Sequence, residues 1–184
     1  MPGLDQPLEL ARALIRCPSV TPNDAGALDV LQTALEKLGF TCHRVLGDAP
    51  ESAPIDNLYA RLGTAAPNFC FAGHTDVVPV GDREEWCEDP FAAEVRDGRL
   101  YGRGASDMKA GIAASVMAFE LLAGCRESWN GEIVLALVGD EETGGVWGTQ
   151  YLLANIEKAV GDAMINGDAG SPLVARIGEK GNLW

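Results

Sequence analysis

The chain contains 184 residues, of which 47% are hydrophobic and 22% charged, so it is long and apolar enough for one globular domain. Its formal net charge of -13 disfavours nucleic acids and anionic membranes as partners, because both attract basic surfaces. Its longest apolar stretch, residues 133–139, is far shorter than the roughly 18 residues of a membrane span, and residues 1–5 lack the features of a secretory signal. Small molecules and metal cations are therefore the expected partners, and the cytoplasm the expected compartment.

Five cysteines are spread along the chain without a Cys-x-x-Cys pair. Their odd number and wide spacing argue against both a disulfide framework and a structural zinc knuckle. We therefore expect reduced thiols, most of them buried.

The first half of the chain predicts two helices followed by three strands. Apolar residues recur at helical spacing over residues 8–15 and 28–38, and Gly39 follows the second segment as a C-terminal cap. Three short segments then have the length and apolar character of strands. They are residues 40–45, 57–62 and 68–72.

The second half begins with a predicted hairpin, because residues 91–101 alternate around Asp97-Gly98, a strong signal for a two-residue turn. Residues 108–122 are rich in Ala, Met, Ile and Leu and contain no proline, which predicts a helix packed on both sides. The remaining predicted elements are a buried strand at 133–138, a helix at 145–156 and a final strand at 163–165.

Apolar strands separated by helices predict an α/β fold with a mainly parallel central sheet and helices on both faces. Ligands of such sheets bind outside the carboxyl ends of the strands. His74, the pair Glu141-Glu142 and Asp168 each follow a predicted strand, so we expect them at this edge. Imidazole and carboxylates are zinc ligands, and zinc lowers the pKa of bound water to about 7, as an amide hydrolase requires.

His74 lies in a Gly-His-Thr sequence, where an isolated histidine is more often a turn residue than a ligand. Asp76 changes this interpretation, because residues two apart on an extended segment share a face. Its carboxylate can accept the imidazole N–H and thereby fix the tautomer that presents the other ring nitrogen to a metal.

The next carboxylates also have structural interpretations. Asp107, like Ser106, could cap the helix that follows, although the glycines before it indicate an unusual backbone or a close approach. Glu141 and Glu142 could be an acidic run favoured at the start of a helix. With Asp140, however, they place three repelling carboxylates directly after a buried strand, and a cation is the usual way to stabilise that arrangement.

Two further residues carry less information of their own. Asp168 lies in Asn-Gly-Asp-Ala-Gly, a sequence typical of a turn, and only its place after a strand favours a role in the site. His43 has no carboxylate spaced around it, so we predict a solvated or packed side chain.

Four segments occur together with a characteristic order and spacing: FAGHTDVVP at 71–79, DPF at 89–91, DGRLYGRGASDMK at 97–109 and DEE at 140–142. In sequence, order and spacing, these four segments resemble those of the M20 metallopeptidases. Within that family, they resemble the acetylornithine deacetylase and succinyl-diaminopimelate desuccinylase group. The resemblance covers nearly the whole chain.

The resemblance implies a centre with two zinc ions. His74 and Asp168 would bind one zinc, Glu142 the second, and Asp107 both. Asp76 would orient His74, and Glu141 would be the general base that deprotonates the attacking water and protonates the leaving amine. The implied reaction is hydrolysis of the amide bond of an N-acyl amino acid or related small substrate. Cobalt or manganese could replace zinc, since carboxylate-rich sites with one imidazole discriminate weakly.

The resemblance also implies alternatives for the whole chain. Aspartate at position 168 is the residue of dipeptidase-like and aminoacylase-like relatives, whereas desuccinylases have glutamate. Family members continue from a segment like residues 177–181 into a lid domain that forms a homodimer, and a late histidine then completes the second zinc site. Residues 1–184 are therefore expected to be the amino-terminal portion of the catalytic domain, with the lid absent. The alternative to an active hydrolase is a truncated, catalytically incompetent metal-binding fragment.

Overall fold

The computed structural model describes residues 5–156, 159 and 161–168. The segment 177–181 and Trp184 lie outside the described residues. Within this part, the helices and strands follow one another in the order α1 (Asp5–Ile15), α2 (Ala27–Lys37), β1 (Thr41–Gly47), β2 (Ile55–Leu62), β3 (Asn68–His74), β4 (Glu94–Arg96), β5 (Arg99–Tyr101), α3 (Ala110–Gly124), β6 (Glu132–Val138), α4 (Thr149–Asn155) and β7 (Ala163–Asn166). None of the helices described is both long and apolar enough to cross a bilayer.

The central sheet has the strand order β1-β2-β6-β3-β7. Strand β3 pairs in parallel with β6 on one side and β7 on the other, whereas β2 runs antiparallel to both of its neighbours. The reversal of β2 follows from its short connection to β1 through residues 48–54, because a parallel crossover needs a dozen or more residues. Four of the five strands still point the same way, which confirms the mainly parallel sheet.

Alternating strand residues are buried on the two faces of this sheet. The larger core includes residues of α1, α2 and α3 packed with Phe71 of β3 and Leu135 of β6. The smaller cluster, on the opposite face, contains Cys70 and Val134, with Ile156 just after α4 packed against it. Helical segments therefore cover both faces, as the sequence predicts.

Three local predictions are refined by the backbone. Asp97 and Gly98 both have left-handed φ values, 51° and 71°, which confirms the hairpin turn between β4 and β5. The helix expected at 145–156 begins only at Thr149, because Gly145 has a left-handed φ of 66° and Gly148, the N-cap residue, has non-helical φ and ψ of -97° and -98°. The helix expected at 108–122 begins at Ala110, and its N-terminus has no side-chain cap, so neither Asp107 nor Ser106 caps it.

The expectation that most cysteines are buried is wrong. Cys70 is buried, Cys17 and Cys42 are half-buried, and Cys87 and Cys125 are exposed, all as free thiols. Burial raises the pKa of the Cys70 thiol to about 11, and burial together with the charge of Glu36 does the same for Cys42.

This difference predicts the order of alkylation by iodoacetamide at pH 8. Cys87 and Cys125 should react at least about tenfold faster than Cys70 and Cys42, because the thiolate is the nucleophile and access is required. Peptide mass spectrometry over a time course measures the rates. Urea-unfolded protein is the control, in which the differences should disappear. Equal rates at Cys70 and Cys87 in folded protein would contradict the burial of Cys70.

Candidate metal centre

His74 is the last residue of β3, in the middle of the parallel part of the sheet, and is only 1% exposed. It lies opposite Val138, the last residue of β6, so the chain enters the 141–142 turn beside it. Its backbone N–H donates to Sδ of Met108 at 3.2 Å. The preceding Gly73 permits this contact, since a Cβ there would come within 2.6 Å of the Met108 methyl group. The strand end and the loop before α3 are thus packed together.

The two ring nitrogens of His74 face different groups. Nδ1 lies 3.0 Å from the main-chain oxygen of Asp76 and 3.5 Å from its carboxylate, so the carbonyl, not the expected carboxylate, is the nearer acceptor. Nε2 lies 2.9 Å from Oδ1 of Asp107 and 3.8 Å from Oε2 of Glu141. An Nδ1–H donated to the carbonyl leaves Nε2 as the nitrogen directed at the carboxylates.

The carboxylate of Asp76 joins three segments of the chain. It accepts hydrogen bonds from the backbone N–H groups of Glu141 and Glu142, both at 3.2 Å, and from the hydroxyl of Thr21 at 2.7 Å. The Asp76 side chain is 2% exposed, so these bonds are shielded from water. Asp76 therefore fixes the turn that carries both glutamates. Thr21 is a residue of the candidate site that the sequence analysis missed, because no spacing pattern links positions 55 residues apart.

Three side chains meet at the candidate metal centre. One ligand atom each from His74, Asp107 and Glu142 can be chosen so that all lie within 4.8 Å of one another. Their burial differs: His74 is buried, Glu142 is half-buried, and the Asp107 side chain is 55% exposed. The histidine of the cluster is thus buried, and its two carboxylates are more exposed.

Glu141 and Asp168 lie beside this cluster. Both line a cavity of about 560 Å³ together with His74, between the sheet and α4. The Glu141 side chain is 46% exposed, and Asp168 is exposed in a turn where its N–H donates to the Asn166 side chain at 3.1 Å. Asp168 therefore has a turn-like hydrogen bond and also lies near the candidate site. Within the described residues, Asp168 is not one of the three clustered ligand groups.

The electrostatics of the centre favour a cation. Burial raises the pKa of both Glu141 and Glu142, and the neighbouring negative charges raise it further: Asp168 acts on Glu141, and Asp107 on Glu142. The positive charge of protonated His74 acts in the opposite direction on both. For both glutamates, the charge of His74 does not outweigh burial and the neighbouring carboxylates, so the pKa stays raised. The donor set of one imidazole and several carboxylates therefore fits a divalent metal, which would relieve this repulsion.

In the metal-free protein, His74 should make stability depend on pH. Burial alone would lower its pKa, but the contacts with Asp76 and the charge of Glu141 raise the pKa from 6.5 to about 9. A histidine whose pKa is higher in the folded than in the unfolded protein contributes its full stabilisation below the pKa of the unfolded state. That stabilisation is lost as the pH rises through the pKa of the folded state. We expect a loss of up to about 3 kcal/mol between pH 6.5 and 9.

Urea unfolding in EDTA measures this effect in the wild type and in His74→Ala. The free-energy difference between the two proteins isolates His74, because the other titrating groups are common to both. As the pH rises from 6.5 to 9, the wild type should lose stability relative to His74→Ala. A difference that is constant from pH 6.5 to 9 would contradict the raised pKa.

A mainly parallel α/β sheet with a histidine and carboxylates clustered at its strand ends has the arrangement of a metal-dependent hydrolase. Comparison with known proteins makes this specific. Residues 70–180 match Peptidase family M20/M25/M40, and the chain belongs to this family. Use of a divalent metal is a property of this metallopeptidase family.

Curated relatives at high identity include two bacterial desuccinylases. The succinyl-diaminopimelate desuccinylase of Rhodospirillum centenum is 51% identical over 183 residues, which cover 96% of this chain and 47% of the relative. That of Rhodopseudomonas palustris strain BisA53 is 56% identical over 154 residues, covering 83% of this chain and 40% of the relative. The chain thus spans less than half the length of the relatives it matches.

Solved structures of related enzymes share the fold. Human carnosine dipeptidase 1 superimposes with a TM-score of 0.78 at 25% identity, over 90% of this chain and 38% of that protein. The M20 family metallo-carboxypeptidase Sso-CP2 from Sulfolobus solfataricus gives a TM-score of 0.74 at 26% identity, over 91% of this chain and 38% of that protein. Both agree with a metallopeptidase catalytic fold.

Proposed function

We propose that the chain supplies the metal centre of a zinc-dependent amide hydrolase and corresponds to the amino-terminal portion of its catalytic domain. One observation carries the proposal: the convergence of His74, Asp107 and Glu142 within 4.8 Å, with Glu141 beside them. In this proposal those three residues and Asp168 hold two zinc ions, which cobalt or manganese could replace.

The residues around the ligands have separate tasks in this proposal. A bound divalent ion would lower the pKa of water and polarise an amide carbonyl. Glu141 reaches both the ligand cluster and the cavity, so its carboxylate can take a proton from a water there and return it to the leaving amine. Asp76 positions Glu141 and Glu142 through their backbone N–H groups.

For the substrate we propose an N-acyl amino acid, with succinyl-diaminopimelate as the first candidate. Curated desuccinylases at 51% and 57% identity support this choice. A dipeptide is the second candidate, favoured by aspartate at position 168 and by the structural similarity to carnosine dipeptidase 1. The cavity beside His74 is large enough for a small-molecule substrate of either class.

The test of this function has two stages. In the first, zinc bound to the 184-residue chain is counted after equilibrium dialysis, and we expect at least one ion per chain. In the second, the chain is joined to the part of the Rhodospirillum centenum desuccinylase that the match does not cover. Amine release from succinyl-diaminopimelate and from a dipeptide then ranks the two substrates.

Glu141→Gln is the decisive variant in that chimera. It should retain zinc but lower kcat by at least about 100-fold, because it removes the proton acceptor without removing a ligand. Asn155→Asp, an exposed change in α4, serves as the surface control. Failure to bind zinc, or hydrolysis that Glu141→Gln leaves intact, would overturn the proposal.

A further inference from the structure

Lys109 is a buried cation two residues after Asp107. It is 0% exposed, and its ammonium group donates to the main-chain oxygens of Leu14 at 2.9 Å and Cys17 at 2.8 Å. These carbonyls lie at the C-terminal end of α1, where the helix dipole favours positive charge. None of the ion pairs found among the described residues involves Lys109. Burial lowers the pKa of its ammonium group to about 8.

The loop that ends at Lys109 is folded tightly against α1. The backbone N–H of Lys109 donates to the oxygen of Gly104 at 2.9 Å, which closes the turn containing Asp107. A Cβ at Gly104 would lie 2.6 Å from the Val77 side chain, and one at Gly102 would lie 2.6 Å from Ile15. The turn therefore packs against both the end of α1 and the segment that follows Asp76.

Asp107 itself has few contacts that could hold it in place. Its side chain is 55% exposed, and its carboxylate accepts one hydrogen bond within the described residues, from Nε2 of His74. The two residues after it are both fully buried: Met108 accepts the His74 N–H, and Lys109 binds α1. The position of the exposed carboxylate thus depends on buried anchors that follow it directly.

The choice of lysine at position 109 needs an explanation beyond packing. An apolar side chain of similar length would fill the same space without the cost of burying a charge. Only a donor can bind the two carbonyls at the end of α1, 92 and 95 residues away along the chain. The ammonium group therefore connects α1 to the turn in a way that packing alone does not.

We propose that Lys109 is a positioning residue for the metal centre: by binding the carbonyls of Leu14 and Cys17, it holds the turn that presents Asp107 to His74. The inference rests on the proposed function, since it assigns Asp107 as a metal ligand. In this proposal, α1 contributes no ligand but supports the metal centre through Lys109.

Cobalt affinity of the 184-residue chain tests this inference, with visible absorbance of bound Co²⁺ as the readout. Lys109→Met should weaken binding by about 10–100-fold, the range for groups that orient metal ligands. The matched control is Leu35→Ala, which opens a cavity in the core near Phe40, at the far end of the sheet from His74. Although it destabilises the fold, it should keep cobalt affinity within about threefold at temperatures well below unfolding.

Hydrogen exchange of the metal-free protein provides a second measurement. In Lys109→Met, amides in residues 104–109 should exchange at least about tenfold faster than in Leu35→Ala, because the clamp on α1 is lost. Equal cobalt affinity, or equal exchange in the two variants, would overturn the inference. Absence of cobalt and zinc binding in the wild type would overturn the proposed function instead, and hydrogen exchange would still decide whether Lys109 holds the turn.

Discussion

Replacing His74 by alanine should lower the zinc affinity of the chain by at least about 100-fold. The imidazole is the one nitrogen ligand in the cluster found among the described residues, and it is the most buried of the three side chains. Its loss leaves carboxylates that face solvent and can rotate away, so the remaining ligands are less preorganised. Glu142→Ala should also weaken binding, and the proposal of two ions predicts the loss of a whole site in each variant.

Calorimetry and metal analysis measure affinity and stoichiometry in these variants. His43→Ala is the matched control, because it removes the only other histidine of the sequence, which is exposed on β1. It should bind zinc like the wild type. Circular dichroism must show that each variant is folded. Unchanged zinc binding in folded His74→Ala, or an equal loss in His43→Ala, would show that the ion binds elsewhere.

The largest effect on stability is expected from Arg61→Ala, which should lower the free energy of unfolding by about 3–5 kcal/mol. Arg61 of β2 forms a two-nitrogen contact with Oε1 of Glu132, the first residue of β6, and Asn68 of β3 donates to Oε2 at 3.1 Å. The Glu132 side chain is only 4% exposed. Removing Arg61 would leave this carboxylate buried without a counter-charge.

Urea denaturation compares this variant with Arg83→Ala, which breaks an exposed ion pair. Arg83 and Asp89 lie 3.1 Å apart with side chains 61% and 54% exposed, so their contact should contribute less than about 1 kcal/mol. The contrast tests whether burial, and not the pairing itself, determines the cost. A loss below about 1 kcal/mol in Arg61→Ala would contradict the prediction that burial of Glu132 makes the loss of its partner costly.

Elements defined by local pattern were predictable from the sequence. Strands β3 and β6 are short apolar runs, and the Asp97-Gly98 turn needs only two residues that accept positive φ. The same reasoning placed His74 and Glu141 near one edge, because parallel strands deliver their carboxyl ends together. Sequence patterns show where a strand ends. In this fold, the positions of the strand ends were enough to predict that the main site residues lie near one another.

Contacts between distant parts of the chain were not predictable in this way. Thr21 bonds to Asp76, and Lys109 to the end of α1, because folding brings these segments together. Apolar periodicity shows that a face is buried but not which group it will contact. The cysteines show the same limit, since a thiol is compatible with either a buried or an exposed position.

The unequal exposure of the clustered side chains also has a kinetic consequence. Among the described residues, the His74 side chain is buried while that of Asp107 is 55% exposed, so solvent reaches the carboxylate side of the candidate centre more readily than the histidine side. With a metal ion bound there, Asp107 and Glu142 would be the ligands accessible to water, and His74 would be the ligand shielded from it. The rate of metal exchange should then depend on how readily Asp107 and Glu142 detach, and a small chelator such as EDTA should strip the centre faster than spontaneous dissociation does.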